Sequence, residues 1–171
     1  MIPSHKYAKI AQEAVHAFIG QRKRLIPTSE ELFGIKRACF VSLHNADGSL
    51  RGCIGTLEPR TDDLFYEIVQ NAISAATHDP RFEPVTRDEL EQLHISIDVL
   101  SDPEPTSPEL LNPKKYGVIV TDGIRKGVLL PNLEGIDTVD AQIEIAKRKA
   151  GLNHLHNSKL TFMRFESIRY E

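Results

Sequence analysis

The feature that most constrains this chain is the stretch Leu50-Arg51-Gly52-Cys53-Ile54-Gly55-Thr56, where two glycines bracket one of only two cysteines. A glycine inside a strand loses packing and costs conformational entropy, so a pair indicates a bulge or the close approach of another backbone or a ligand. Because side chains alternate along a strand, Arg51, Cys53 and Gly55 are expected to share one face. An arginine beside a thiol favours the thiolate; a buried, inert cysteine with a solvated arginine is the structural alternative.

A β-hairpin is predicted here, because residues 39–43 alternate well and a strong turn sequence separates them from the glycine-bracketed stretch. The apolar faces of the two strands must coincide, and this sets the register. The resulting register places Phe40 opposite Cys53 and Ser42 opposite Arg51. It also puts the two cysteines on opposite faces, so no disulfide between them is expected, although a one-residue bulge would overturn this inference.

The strongest helix signal runs from about Asp62 to Thr77, where apolar residues recur on a wide stripe at helical spacing. The helix must stop before Pro80, because the residue before a proline avoids the helical region. The loop from His78 to Phe82 is charged and carries one aromatic side chain. Loops that leave a buried helix often carry function, whereas an Asp–Arg pair at a helix exit is the structural alternative.

The rest of the chain reads as alternating helices and strands around a proline-rich connector. Residues 101–113 contain four prolines and are predicted to be the seam between two lobes. The other predicted elements are a first helix capped by Ser4 and stopped at Gly20, a short helix from Thr86 to Gln92, strand 94–100, hairpin 116–130, a helix ending at Gly151 and a closing strand 160–170.

Composition narrows the class of protein. The 171 residues suit one domain, and a net charge of −3 argues against nucleic-acid binding. No apolar run approaches the roughly 20 residues that span a bilayer, and residues 1–6 lack the apolar segment of a signal peptide. Two cysteines without such a signal predict free thiols in a reducing cytoplasm. The sequence has no CxxC, HExxH, P-loop or GxGxxG pattern, so no cofactor is predicted. His154 and His156 form a lone H-x-H without a third ligand nearby, which is typical of a surface loop, so no metal site is predicted.

Taken together, these segments resemble the AMMECR domain family, known in many prokaryotes as AmmeMemoRadiSam system protein A. The main match is Leu50-Arg51-Gly52-Cys53-Ile54-Gly55, the family's LRGCIG hallmark, supported by Asp79-Pro80-Arg81-Phe82 after Ala75-Ala76. Further matches follow in the expected order over nearly the whole chain: Ile95 to Pro103, Tyr116-Gly117-Val118, Gly127 to Pro131 and Lys149-Ala150-Gly151. The chain departs from many relatives at residues 131–137, because they carry a tryptophan there and this chain has none.

The resemblance implies an α+β fold of a larger and a smaller subdomain with an antiparallel-dominated sheet packed with helices. It implies little about chemistry, because the family's biochemical activity is not established. Relatives are often encoded with a Memo-type protein and a radical S-adenosylmethionine protein. That association makes both of them candidate partners, and it implies no cofactor for this chain.

Two functions therefore stay open. In the first, an enzyme acts on a small, anionic substrate: Cys53 is the nucleophile, Arg51 stabilises the thiolate or holds the substrate, and His78 is the first candidate base, with His44 the second. Asp79 and Arg81 then orient groups or clamp the substrate. In the second, a binding or adaptor module uses the groove around Gly52, Gly55, Arg81 and Phe82, and Cys53 only packs. We expect Arg51 and Cys53 to share a cleft with the 78–82 loop. If His78, Asp79 and Arg81 instead point away from the Cys53 sulfur, the adaptor function is favoured, with Phe82 as the anchor for a partner.

Overall fold

The computed structural model describes residues 4–27 and 32–171. Residues 1–3, which belong to the N-terminal stretch predicted to lack a signal peptide, and residues 28–31 lie outside the described part. The chain divides into two compact units: unit 1 is Met1–Leu100 with Ile168–Glu171, and unit 2 is Ser101–Ser167. Each unit contains one four-stranded antiparallel sheet and its own hydrophobic core. The predicted α+β class is confirmed, with two sheets instead of one. The boundary after Leu100 lies at the start of the predicted seam.

Unit 1 is a four-stranded sheet with two α-helices. Its elements are α1 (Lys6–Gln21), β1 (Cys39–His44), β2 (Leu50–Gly55), α2 (Leu64–Thr77), a 3-10 helix (Arg87–Gln92), β3 (His94–Leu100) and β8 (Ser167–Tyr170). The strand order in the sheet is β2-β1-β3-β8. Helices α1 and α2 pack against the sheet through their apolar stripes, so the core lies on the helix side.

The ends of the helices follow local chemistry. The α2 helix has Asp63 at its N-cap and His78 at its C-cap, close to the predicted limits. The predicted caps of α1 are wrong. The imidazole of His5, not the hydroxyl of Ser4, accepts the hydrogen bond from the Tyr7 N–H, and the helix continues past Gly20 to a left-handed Arg22.

The β1–β2 register differs from the prediction by two residues. Ser42 pairs with Cys53, and Phe40 pairs with Gly55. A bulge in β2 at Arg51 then shifts the ladder, so Leu50 pairs with His44 and leaves the helix side of the sheet. The opposite faces predicted for the two cysteines are confirmed, because Ser42 and Cys53 share the face away from that of Cys39. Both thiols are free.

Unit 2 is a four-stranded sheet with one α-helix. Its elements are β4 (Glu104–Thr106), a 3-10 helix (Pro108–Leu110), β5 (Gly117–Thr121), β6 (Lys126–Leu129), α3 (Val139–Lys149), a 3-10 helix (Asn157–Lys159) and β7 (Thr161–Phe165). The strand order is β4-β7-β5-β6, and α3 packs on β5 and β6. The predicted hairpin and last helix are confirmed.

The proline-rich connector contains strand β4, whose Pro105 pairs with Met163 of β7, and its place as the seam between two lobes stays a prediction. The prediction of one closing strand is wrong. The predicted closing strand is two strands in different sheets, β7 and β8. They are separated at Glu166, whose backbone N–H and C=O bond to Ser101 instead of to a neighbouring strand. Among the helices within residues 4–27 and 32–171, none is long and apolar enough to cross a membrane.

Candidate functional site

The exit loop of α2 is fixed to the free edge of strand β2. Strand β2 lies at the edge of its sheet, so its outward backbone groups need partners from elsewhere. The Asp79 carboxylate accepts a hydrogen bond from the Cys53 N–H, with 2.8 Å between Oδ2 and N. Arg81 Nη2 lies 3.5 Å from the Cys53 carbonyl oxygen. The loop that follows Thr77 therefore completes the edge of the strand at the cysteine.

Asp79 and Arg81 form a paired unit. Arg81 donates to both carboxylate oxygens, from Nε at 3.0 Å and from Nη2 at 2.7 Å, and its backbone N–H adds a third bond at 3.1 Å. The side chain of Asp79 is 2% exposed and that of Arg81 is 56% exposed. The hydrogen bond from Arg81 holds the pKa of Asp79 far below its usual range, so a buried carboxylate stays ionised beside Cys53.

Arg51 serves a second loop. Its guanidinium donates to both oxygens of Glu89, at 2.7 and 3.2 Å, and to the carbonyl oxygen of Glu83 at 2.9 Å. The bond from Arg51 lowers the pKa of Glu89 to about 2. Glu89 also accepts from the backbone and hydroxyl of Thr86, as the capping-box pattern predicted. Arg51 thus ties the start of the 3-10 helix to the bulge in β2.

The Cys53 thiol is half-buried on the face of the sheet away from α1 and α2. Its sulfur accepts a hydrogen bond from the Ser42 hydroxyl directly opposite, with 3.3 Å between Oγ and Sγ. Two guanidinium groups lie within electrostatic reach of the sulfur. The pKa values of Arg81 and Arg169 are raised mainly by their hydrogen bonds to Asp79 and Asp98, and attraction to Cys53 adds to both shifts.

The two candidate bases lie in different places. His78 is exposed at the end of α2, where its Nδ1 lies 2.6 Å from the Thr77 hydroxyl. His44 lies on the same face as Ser42, two residues further along β1, and pairs with His94 of β3. Burial lowers the pKa of His44, and Arg169 and His94 lower it further against the opposing effects of Glu171 and Asp98.

Neighbouring atoms occupy the space beside both glycines of β2. A Cβ on Gly52 would overlap the carbonyl oxygen of Ala75, so glycine lets α2 approach the strand backbone. A Cβ on Gly55 would overlap the ring of its cross-strand partner, Phe40. The close approach of another backbone is therefore observed at Gly52, and contact of these glycines with a substrate or partner stays a prediction.

The remaining aromatic and thiol groups have distinct surroundings. The half-buried Phe82 ring lies beneath the Arg81 guanidinium, 5.3 Å from centroid to Cζ. Cys39 is fully buried on the helix side, where Asn71 donates to its sulfur at 3.6 Å and to its carbonyl oxygen at 3.0 Å. Burial raises the pKa of Cys39 to about 12, so this thiol stays protonated and unreactive at neutral pH.

The structure thus brings together Cys53, Asp79 and Arg81, but engages Arg51 with Glu89 and leaves His78 beside Thr77. Sequence reasoning missed Ser42 as the partner of the thiol. The signal was present, because Ser42 interrupts two apolar neighbours on a strand that faces Cys53, but the register error placed it elsewhere. Glu89 was recognised only as a cap, since its second role with Arg51 joins residues 38 positions apart.

The fold defines a protein of two α+β units whose candidate site lies on one strand edge of the first unit. The sequence model of the AMMECR1 family matches residues 8–170. This chain therefore belongs to the AMMECR1 family, and the match spans both units.

Relatives confirm the extent of this similarity. A protein of Thermotoga maritima is 47% identical and is matched over 100% of both chains. Protein CA_C1420 of Clostridium acetobutylicum is 50% identical over 86% of this chain, which spans only 32% of that longer protein. The crystal structure of Uncharacterized Protein PH0010 from Pyrococcus horikoshii superposes with a TM-score of 0.81 at 28% identity, covering 95% of this chain and 88% of that one.

Proposed function

We propose that this protein is a cysteine-dependent enzyme that acts on a small anionic substrate, with Cys53 as the nucleophile. One observation carries the proposal: the Cys53 thiol is half-exposed while its own backbone N–H is held by a buried, ionised carboxylate. A thiol that only fills space does not need its strand fixed by an ion pair on an exit loop. Positioning of a reactive group to within a fraction of an ångström does need such support.

The surroundings of the sulfur suit a nucleophile for an anion. The Ser42 hydroxyl donates to the sulfur, and a donated hydrogen bond stabilises negative charge on the acceptor. The exposed part of Arg81 lies beside Cys53 and supplies positive charge for a substrate. Arg51 acts in this proposal by positioning, because Glu89 and Glu83 already occupy its donors.

His44 is the base that we propose for proton transfer, in preference to His78. It lies on the face of the sheet that carries Ser42 and Cys53, and its lowered pKa keeps the imidazole neutral and able to accept a proton at neutral pH. The ring of His78 is engaged at Thr77 on the exposed end of α2. His78 then contributes only if the exit loop moves on substrate binding.

Alkylation kinetics test this proposal directly. Folded protein is treated with iodoacetate and with iodoacetamide across pH, and each rate is compared with that of a small free thiol. We expect reaction at Cys53 alone, faster than that of the small free thiol at neutral pH and with a preference for the anionic reagent. Cys39 stays silent because it is buried, and Cys53→Ala is the control. Arg81→Gln should abolish the preference for iodoacetate.

The opposite result has a clear meaning. A thiol that resists both reagents in the folded protein, or that reacts no faster than the free thiol at neutral pH, overturns the catalytic proposal. Loss of the reagent preference in Arg51→Gln but not in Arg81→Gln would transfer the anion-binding role to Arg51.

A binding or adaptor module is the second candidate function, favoured by the internal ion pairs of Arg51, Asp79 and Arg81. By family association, the partner is a Memo-type or a radical S-adenosylmethionine protein. Phe82 is the proposed anchor, because aromatic side chains dominate interface energetics. Calorimetry of purified pairs tests it: Phe82→Ala should weaken binding at least tenfold, while Tyr66→Ala, an exposed aromatic in α2, should not. Absence of binding by either partner protein rejects this alternative.

A further inference from the structure

A pocket of about 520 Å³ opens in unit 1 where strands β1, β3 and β8 lie side by side. This volume lies in the range of small-molecule sites, which is roughly 300–1,000 Å³. The polar residues that line it include His44, His94, Ser96, Arg169 and Glu171. Neither Cys53 nor the exit loop of α2 contributes to the lining, although the pocket shares His44 with the site proposed above.

Strand pairing explains why the basic groups converge here. His44 and His94 are direct partners across β1 and β3, so both imidazoles project from the same face of the sheet. Arg169 of β8 reaches the same face, because it binds the carboxylate of Asp98 through Nε at 3.1 Å and Nη2 at 2.8 Å. That pairing leaves the Nη1 group of Arg169 without a partner among the described residues.

The Ser96 hydroxyl provides the second, independent observation. Ser96 is 4% exposed, lies between His94 and Asp98 along β3, and lines the pocket. Its Oγ is buried and has no hydrogen-bond partner in the described part of the chain. A buried hydroxyl left unpaired is costly, and such groups are normally satisfied by water, an ion or a ligand.

We propose that this pocket binds a small aliphatic monocarboxylate, which accepts hydrogen bonds from Arg169, Ser96 and the two imidazoles. Arg169, Ser96 and the two imidazoles can each donate to one bound oxyanion, while Glu171 is the carboxylate in the lining and Asp98 is paired with Arg169. The carboxylates of Glu171 and Asp98 lie close enough to influence His44, so a dianion would meet repulsion that a monoanion largely avoids. Ala46 also lines the pocket and suits a short hydrocarbon tail. The proposal holds whether or not Cys53 is catalytic.

The test is a titration followed through the imidazole signals in carbon–proton NMR spectra of the whole protein. Sodium propionate is the probe, and sodium chloride at equal ionic strength and inorganic phosphate are the comparisons. We expect saturable shifts of His44 and His94, little change at His154 of unit 2, and weaker saturation with phosphate. Shifts that never saturate, or that chloride reproduces, overturn the proposal, and tighter binding of phosphate overturns the choice of a monocarboxylate.

Two variants separate ligand binding from folding. Ser96→Ala removes a hydroxyl without an internal partner, so the free protein should unfold at an unchanged or slightly higher temperature. The same variant should bind propionate at least fivefold more weakly, and His94→Gln should do likewise. His154→Gln is the matched control. Unchanged affinity in Ser96→Ala contradicts the proposal, and unchanged affinity in Cys53→Ala separates this pocket from the nucleophile.

Protonation gives a further readout. The groups facing His44 are Arg169 and His94, which disfavour its cationic form, and Glu171 and Asp98, which favour it. Because protonated imidazoles attract a carboxylate more strongly, propionate affinity should rise as the pH is lowered through the histidine range. Affinity that is flat or that falls over this range contradicts a role for the two imidazoles.

Discussion

The two units repeat one packing device, and the comparison explains the glycines of strand β2. In unit 1, Gly52 lies directly under the Ala75 carbonyl of α2; in unit 2, Gly127 lies directly under the Ala146 carbonyl of α3. A Cβ at either glycine would overlap that oxygen. A glycine that recurs beneath a helix in a unit with different chemistry is a requirement of helix–sheet packing.

A second device is also shared. Gly55 faces the ring of its cross-strand partner Phe40, and Gly117 faces the ring of its cross-strand partner Phe165. An aromatic ring that lies over a glycine of the neighbouring strand covers exposed backbone and fixes register. Both glycines that bracket Cys53 are therefore explained without a ligand.

Even the arginine of β2 has a counterpart. Arg51 donates from Nε to Glu89 at 2.7 Å and from Nη1 to a backbone carbonyl at 2.9 Å. Arg164 of unit 2 donates from Nε to Glu104 at 2.7 Å and from Nη1 to a backbone carbonyl at 2.9 Å. The same geometry in both units indicates that Arg51 acts as a clamp on a neighbouring loop.

What remains after this comparison belongs to unit 1. The half-exposed Cys53, the Ser42 hydroxyl on its sulfur and the buried Asp79 on its backbone have no counterpart that we find among the described residues of unit 2. We therefore assign Arg51 and the two glycines of β2 to the scaffold of unit 1. Cys53, Asp79 and Arg81 remain the candidate functional residues.

Core truncations give the largest expected effect and test whether the two cores are equivalent. Ile68 of α2 and Ile143 of α3 are 0% and 1% exposed. Replacing either by alanine removes buried methylene groups and leaves a cavity, so each variant should lose about 2–5 kcal/mol of unfolding free energy. Urea denaturation measures the loss. A loss below about 1 kcal/mol in either variant would mean that its helix face is not buried in solution.

Arg81→Ala should destabilise the protein more than the matching change in unit 2, because it leaves the carboxylate of Asp79 buried and unpaired. We expect a loss of about 3 kcal/mol near neutral pH, at the low end of the range for a broken buried pair because half of Arg81 is exposed. Arg125→Ala in unit 2 removes the partner of Asp122, a carboxylate that is 16% exposed instead of 2%, and should cost less. Equal losses of stability in Arg81→Ala and Arg125→Ala would indicate that water reaches Asp79 more easily than its burial implies.

The same variant has a defined pH dependence. The pKa of Asp79 is depressed in the folded state, so its ion pair stabilises the protein above the unfolded pKa of about 3.9, and this contribution is lost as the pH falls. The gap between wild type and Arg81→Ala should therefore shrink on acidification. A gap that widens toward low pH would contradict the assignment of Asp79 as an ionised group.

Alanine at the packing glycines is the next smaller effect. Gly52→Ala and Gly127→Ala should each cost about 1–3 kcal/mol, because a methyl group meets a helix carbonyl that can shift only with its helix. Gly20→Ala is the control: the nearest neighbour of its Cβ is Leu90 at 3.9 Å, and alanine favours a helix, so it should be neutral or stabilising. Thermal unfolding compares the three. A neutral Gly52→Ala variant would reopen a ligand-binding role for this glycine.

Local patterns predicted most of the fold. The apolar stripe of α2, its stop before Pro80 and the capping box at Thr86 each follow from a few neighbouring residues, and each is confirmed. The β1–β2 register was wrong because a shift of two residues leaves every side chain on the same face, so alternation cannot detect it, and alternation does not reveal the bulge at Arg51 either. The break at Glu166 escaped for a related reason, since one residue changes sheets without interrupting the apolar pattern.

The candidate site was harder to predict than the fold, because its contacts are distant in sequence. The approach of Asp79 to Cys53 could be anticipated, since α2 must deliver its exit loop to the sheet that it covers. The link from Arg51 to Glu89 and the partner of His44 depend on side-chain geometry at strand edges and on strand order. Neither leaves a local pattern in the sequence.

Glu89→Gln has the smallest expected effect and tests whether the two arginine clamps are equivalent. The Arg51–Glu89 pair is the less exposed, at 14% and 33%, against 24% and 59% for Arg164–Glu104. Removing the charge of Glu89 should cost about 1 kcal/mol near neutral pH, the upper value for a partly exposed pair, and Glu104→Gln should cost less.

The pH dependence of Glu89→Gln makes this small effect measurable. The folded pKa of Glu89 is lowered to about 2, so its contribution is present above the unfolded pKa of about 4.3 and lost as the pH falls from there toward 2. The difference between wild type and variant should therefore be constant from pH of about 7 to 5 and then diminish. Urea titrations at a series of pH values measure it.

If Glu104→Gln costs as much as Glu89→Gln, the two clamps are energetically equivalent and Arg51 has no role beyond fixing its loop. If Glu89→Gln leaves stability unchanged but alters the alkylation rate of Cys53, the Arg51 guanidinium acts on the thiol. The interpretation of Arg51 as a clamp that only fixes its loop is then wrong.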